Sequence, residues 1–266
     1  MKKKHAQNDN QFLLISQNAP FAYQEAFKSL RTNLQFLSVE NACRKIIVTS
    51  AVPGEQKTSL AVNLAVTMAD AGSRVLLIDC DLRKPTVHRY LRIDNKAYKG
   101  LSKALGGRQL KDAIVAFKGM SLHVIIADMV PPNPAEILGS ARMGALIGAL
   151  ESHYDYIIFD TPPVSVVTDA AVLSRYADGV VLAVRQNYAT IDQIQRAKKN
   201  LQAVNANILG AVLTDFDLKA ASKTSGYGYG GGYGGYGSYA DTYAYHSDGE
   251  AGAYTYDEDD EELQEV

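Results

Sequence analysis

The chain has 266 residues, of which 47% are hydrophobic and 21% charged, a composition that supports a packed core and excludes a wholly disordered protein. Two cysteines exclude a small disulfide scaffold, and no apolar run approaches the roughly 18 residues that span a bilayer. The formal net charge of −2 conceals an asymmetry: residues 1–218 carry 25 Lys and Arg against 19 Asp and Glu, whereas residues 219–266 carry 2 against 10. Residues 1–20 are polar and read as a mobile arm. Their basic start, MKKKHAQNDN, has no apolar stretch behind it and so is not a secretory signal. The expectation is a soluble protein of a reducing compartment. Cys43 and Cys80 match no metal-ligand spacing.

Residues 22–38 place Ala26, Phe27, Leu30, Leu34 and Leu37 at helical spacing. Strands and helices then alternate. Strands are expected at 45–51, 74–81, 122–127, 154–160, 179–185 and 207–216, and helices at 57–71, 134–152, 168–176 and 190–204. Gly72 stops the helix that begins at Lys57. Most of these strands are continuously apolar, as in a parallel sheet covered on both faces. The pattern predicts an α/β fold, a doubly wound and mostly parallel sheet with helices on both faces. From about residue 219 aliphatic residues become too sparse to pack a core, and the Gly-rich, acidic composition reads as a disordered tail. The organisation expected is therefore an arm (1–20), one domain (21–218) and a tail (219–266).

The first strand-to-helix turn reads Ser50-Ala51-Val52-Pro53-Gly54-Glu55-Gln56-Lys57-Thr58-Ser59. A glycine turn followed by Lys-Thr at a helix start is the setting of a phosphate-binding loop, or P-loop. Backbone N–H groups and the helix N-terminus cradle phosphate there, the lysine reaches the β/γ-phosphates and the hydroxyl can ligate Mg²⁺. Residues Pro53, Gly54, Glu55, Gln56, Lys57, Thr58 and Ser59 are the candidate nucleotide contacts. Two other strands end in carboxylates, at Asp79 with Asp81 two residues on, and at Asp160. Strand C-termini of an open parallel sheet line the ligand crevice, and Mg²⁺ prefers oxygen ligands. Thr58, Asp79, Asp81 and Asp160 are the candidate metal ligands.

These segments also resemble the Walker A, A′ and B motifs of the bacterial tyrosine kinases, P-loop NTPase-type cytoplasmic kinases of capsule and exopolysaccharide assembly. Glu25-Ala26-Phe27-Lys28-Ser29-Leu30-Arg31 is similar to that family's N-terminal Glu-x-x-Arg-x-x-Arg helix, and Pro131–Leu138 to its Pro-Asn-Pro segment. Thr168-Asp169-Ala170 follows the third motif as the family pattern expects. Tyr227, Tyr229, Tyr233, Tyr236, Tyr239, Tyr243, Tyr245, Tyr254 and Tyr256 resemble its autophosphorylation cluster. The resemblance implies ATP and Mg²⁺ as cofactors, Lys57 on the phosphates, and Asp79 or Asp81 drawing the proton from the incoming phenol. It implies a ring of subunits in contact through Glu25, Lys28 and Arg31, each offering its tail to a neighbour. It further implies a membrane-anchored polysaccharide chain-length (co-polymerase) activator that holds the kinase at the inner face of the membrane, and a cognate phosphotyrosine phosphatase.

The departures matter. Gln56 stands where the P-loop pattern has glycine, and Lys28 where the family helix has arginine. A glutamine side chain directed outward leaves ATP binding intact, and one directed at the phosphates blocks it. Three readings are therefore carried forward: an autophosphorylating kinase, a catalytically impaired scaffold of the same system, and a MinD/ParA-like ATPase. The last lacks its early P-loop lysine here. A nucleic-acid partner is not expected, since the body is only mildly basic and the tail repels phosphate. Arg196, Lys198 and Lys199 read either as a solvated helix face or as a docking site for the acidic tail.

Overall fold

The computed structural model describes residues 14–15, 19–41, 43–94, 100–106, 110–117 and 119–216. The tyrosine-rich segment 219–266 and residues 1–13 lie outside the described residues. In chain order the elements are α1 (Phe21–Asn41), β1 (Lys45–Ser50), α2 (Lys57–Asp70), β2 (Val75–Asp79), α3 (Val87–Tyr90), α4 (Leu101–Leu105), β3 (Val115–Ala116) and β4 (Leu122–Ile125). They continue with α5 (Pro134–Leu138), α6 (Ala141–Leu150), β5 (Tyr156–Asp160), α7 (Asp169–Leu173), β6 (Gly179–Arg185), α8 (Ile191–Gln202) and β7 (Ile208–Thr214).

The strands form one sheet in the order β3-β4-β2-β5-β1-β6-β7. Every neighbouring pair is parallel except β3 with β4. Successive side chains of a strand point to opposite faces, and both faces here are covered. Ile46, Val48, Leu77, Ile158 and Val181 pack under α1 and α2. Ile47, Leu76, Ile78, Phe159 and Leu182 pack under α4, α6, α7 and α8. That double burial is why the strands read as unbroken apolar runs rather than alternating ones. Helix α2 is sandwiched between the sheet and α1, so almost its whole surface is buried. Its chain turns away at Gly72, whose φ of 88° suits glycine.

Three features differ from the sequence expectation. The helix expected over 134–152 is two helices, because the Ser140 side chain accepts the N–H of Met143 and starts α6 anew. The two-residue edge strand β3 and the short helices α3 and α4 lie in stretches to which the sequence pattern assigns no element. In α1, Phe27 and Leu34 are buried, Leu30 and Leu37 partly so, and Ala26 is exposed. Within the stretch read as an arm, Ile15 is buried and its N–H donates to Asn63 Oδ1 of α2 at 2.6 Å. Arg196, Lys198 and Lys199 are all exposed on α8. Among the described residues no helix is long and apolar enough to cross a membrane.

Phe159 is a large side chain at 0% exposure on the central strand β5. Phe159→Ala should cost about 3–5 kcal/mol of stability, measured by urea denaturation.

Candidate active site

The alternation that builds the core also aims the carboxylates. Leu77 and Ile158 face α2, so Asp79 and Asp160, two residues further along β2 and β5, face the same way. The two are register partners on neighbouring strands, and α2 begins beside them. Lys57 Nζ donates to Asp81 Oδ2 at 2.8 Å and approaches Asp160 Oδ1 at 3.5 Å. Thr58 Oγ1 donates to Asp160 Oδ2 at 2.7 Å and accepts from Thr86 Oγ1 at 3.2 Å. The structure thus gathers Lys57, Thr58, Asp79, Asp81 and Asp160, which come from three separate stretches of sequence.

The three acids differ in what holds them. Asp79 is fully buried, and its two oxygens accept the N–H groups of Asp81 and Val87. Its carboxylate shapes the loop that carries Asp81. Asp81 accepts the N–H of Lys84 with one oxygen and the Lys57 ammonium with the other. Burial, together with the neighbouring Asp160, holds the Asp79 carboxyl well above the usual carboxylate range, although Lys57 pulls the other way. Burial likewise raises Asp160, against the pull of Lys57 and the Thr58 hydroxyl. For Lys57, burial disfavours the charge, but Asp160, Asp81 and Asp79 outweigh it and its pKa rises. Cys80, between two of these acids, is completely buried, and burial with the surrounding carboxylates pushes its thiol well up.

Among the described residues no three Asp, Glu, His or Cys side chains form a ready cation cage; the Lys57 ammonium fills the space between Asp81 and Asp160. The donor set nevertheless suits Mg²⁺, which takes one or two carboxylates, a hydroxyl and waters together with phosphate oxygens. Thr58, Asp160 and Asp81 are the hard oxygens that could hold it.

The P-loop has two left-handed residues, Gly54 at φ 89° and Gln56 at φ 60°. Gln56 is exposed. It makes no capping bond to α2, whereas α6 and α8 carry side-chain caps from Ser140 and Thr190. An uncapped helix start leaves first-turn N–H groups for an anion. A Cβ on Gly54 would stand 2.6 Å from the hydroxyl of Tyr188, so glycine is needed there for space as well as for φ.

Sequence reasoning missed three participants. Tyr188 covers the loop and lies under the Arg185 guanidinium, 5.0 Å from ring centroid to Cζ. Thr86 is bonded to Thr58. Arg83 grips the buried Asp169 of α7 with two parallel bonds of 2.9 Å, which pins the loop after β2. The last pairing was accessible in part, because Arg83 lies two residues beyond Asp81 and Asp169 lies in a motif already quoted.

The chain matches a family model described as an AAA domain over residues 43–212. It is 40% identical over 206 residues to the tyrosine-protein kinase YwqD of Bacillus subtilis (strain 168), covering 77% of this chain and 85% of that protein. This chain belongs to the bacterial tyrosine-protein kinase family. The solved kinase domain of the Escherichia coli tyrosine kinase ETK is similar in structure, with a TM-score of 0.67 and 33% identity over 78% of this chain and 80% of that one. MinD of Pyrococcus horikoshii OT3, solved with Mg-ADP, has a TM-score of 0.55 at 22% identity over 64% of this chain and 69% of that one; it shares the P-loop fold. Membership of the kinase family implies use of a nucleotide.

Two outcomes follow for this kinase. Gln56→Gly should stabilise the protein by about 1 kcal/mol, because glycine adopts left-handed φ without the clash of a Cβ; thermal denaturation measures it. Lys57→Ala should cost about 3–5 kcal/mol at pH 7.5 in chelator, since it strands buried carboxylates. Asp79 and Asp160 bind protons more tightly folded than unfolded, so the deficit should grow as pH rises above about 4 and shrink toward it. Urea denaturation at pH 5 and pH 7.5 makes the comparison.

Proposed function

We propose that the chain transfers the γ-phosphoryl group of ATP to tyrosines of its own C-terminal cluster, offered between subunits of a homo-oligomer, within a capsule or exopolysaccharide system. The observation that carries this reading is the uncapped start of α2, with Lys57 and Thr58 held against Asp81 and Asp160. In a chain of this family, that is an anion site with its counter-charges already assembled.

Each residue has a role. The loop N–H groups and Lys57 take the phosphates, and Lys57 stays protonated because it moves from one set of negative charges to another. Thr58 and Asp160 are the oxygens that would hold Mg²⁺, whose chemistry is to neutralise charge on the transferring phosphoryl group, and the freed oxygen of Asp81 is left for the phenol. The phenol of an incoming tyrosine has a pKa near 10 and is a poor nucleophile. Its oxygen forms the new bond to phosphorus while the bond from phosphorus to the oxygen of the ADP leaving group breaks. The phenolic proton passes to a carboxylate. Asp81 suits that role better than Asp79, because one of its oxygens is freed when Lys57 turns away, whereas both oxygens of Asp79 hold backbone N–H groups.

Glu25 and Lys28 pair on α1 at 2.8 Å, and Arg31 donates to the Thr67 carbonyl of α2 at 3.1 Å. This same helix is the proposed subunit contact. A membrane-anchored activator, a cognate phosphatase and a position at the inner membrane face complete the reading by analogy with the family. Each phosphate adds about −1.5 to −2 charges to a tail that already holds 10 acidic residues against 2 basic ones, which favours release of the tail and loosening of the oligomer.

Incubation of the purified full chain with Mg·ATP, read by mass spectrometry, tests the proposal. Phosphotyrosine should appear among Tyr227–Tyr256, and Lys57→Met and Asp81→Asn should each lower it about a hundredfold or more. Phosphotyrosine only in Gln56→Gly would identify the natural chain as the impaired scaffold. Its absence from both would overturn the kinase reading.

A further inference from the structure

Glu55 stands in the P-loop between the two left-handed residues, yet its side chain is 0% exposed and turned into the fold. Its Oε2 accepts the Val52 N–H at 2.8 Å, and its Oε1 accepts the Arg185 N–H at 3.4 Å. Its backbone carbonyl accepts Thr214 Oγ1 at 3.0 Å. Arg185 and Thr214 are register partners at the ends of β6 and β7. The Arg185 side chain adds a further tie, because it pairs with Asp215 at 2.6 Å and stacks over Tyr188, and Tyr188 in turn covers Gly54.

We infer that Glu55 is a positioning residue, a staple that holds the phosphate loop to the ends of β6 and β7 and keeps Gln56 in its left-handed conformation. A glutamine at φ 60° stays there only if its surroundings over-determine it. The bonds of Glu55 do so from the preceding residue: one fixes the start of the loop, and two fix its middle to strands outside it. An ionised acceptor makes stronger bonds to N–H groups than a neutral one, which is why a carboxylate serves here. The staple explains how this chain carries glutamine where glycine would move freely. The inference rests on reading the loop as a nucleotide site.

The test uses the full chain and its Glu55→Gln, Thr214→Val and Gln56→Gly variants, with Mg·ADP affinity by calorimetry and amide hydrogen exchange over residues 51–58. Glu55→Gln should weaken Mg·ADP binding about tenfold, the worth of roughly one bond to an ionised acceptor, and speed exchange across the loop. KM for ATP should rise with kcat little changed. Thr214→Val should act in the same direction by about threefold, which also serves if Glu55→Gln folds poorly. In the Gln56→Gly background the loss from Glu55→Gln should shrink, since glycine needs less restraint. A lower melting temperature with unchanged affinity and unchanged loop exchange would reduce Glu55 to a packing residue and overturn the inference. If the natural chain binds no Mg·ADP, the nucleotide reading fails, and exchange in the unliganded loop then decides the staple alone: faster in Glu55→Gln supports it, unchanged overturns it.

Discussion

A single buried ammonium organises this active site. The parallel register of β2 and β5 brings Asp79 and Asp160 side by side, and the loop after β2 adds Asp81. Three carboxylates in so small a buried space repel one another and resist desolvation. Lys57 makes the arrangement tolerable by placing its charge between Asp81 and Asp160. In the proposed reaction an incoming phosphate group would compete with these carboxylates for the lysine, and a divalent cation would replace the lysine on the carboxylate side.

The architecture supplies this arrangement through constraints that have nothing to do with nucleotides. Both faces of the sheet must be covered, so α2 lies flat on the strands and its N-terminus arrives at their C-terminal edge. The left-handed bends at Gly54 and Gln56 are the cost of turning from β1 into that helix. Strands β6 and β7 then contribute, because their last residues grip the loop from its far side. The site is built from the whole β2-β5-β1-β6-β7 stretch of the sheet.

Much of this was legible in the chain. The apolar strands, the Gly72 stop and the strand-terminal aspartates are local signals, and each falls where expected. Strand β3 and helices α3 and α4 are too short for periodicity to register. The break between α5 and α6 depends on one serine side chain that competes for a backbone N–H. The division of labour between Asp79 and Asp81 cannot be read from an Asp-x-Asp spacing, because it depends on which backbone N–H groups turn toward which carboxylate. The partners of Glu55 lie 130 and 159 residues away in sequence, so its role emerges only after the sheet is assembled.

The same negative field governs Cys80. A thiol reacts as its thiolate, which low-pKa environments favour, and Cys80 sits in the opposite environment, buried among Asp79, Asp160, Asp81 and Asp169. Cys43, the other cysteine, is also buried, and burial lifts its thiol to about 11. Both positions therefore disfavour the thiolate on which oxidation and alkylation depend. The carboxylates gathered around Lys57 thus also disfavour the thiolate of the cysteine that lies among them.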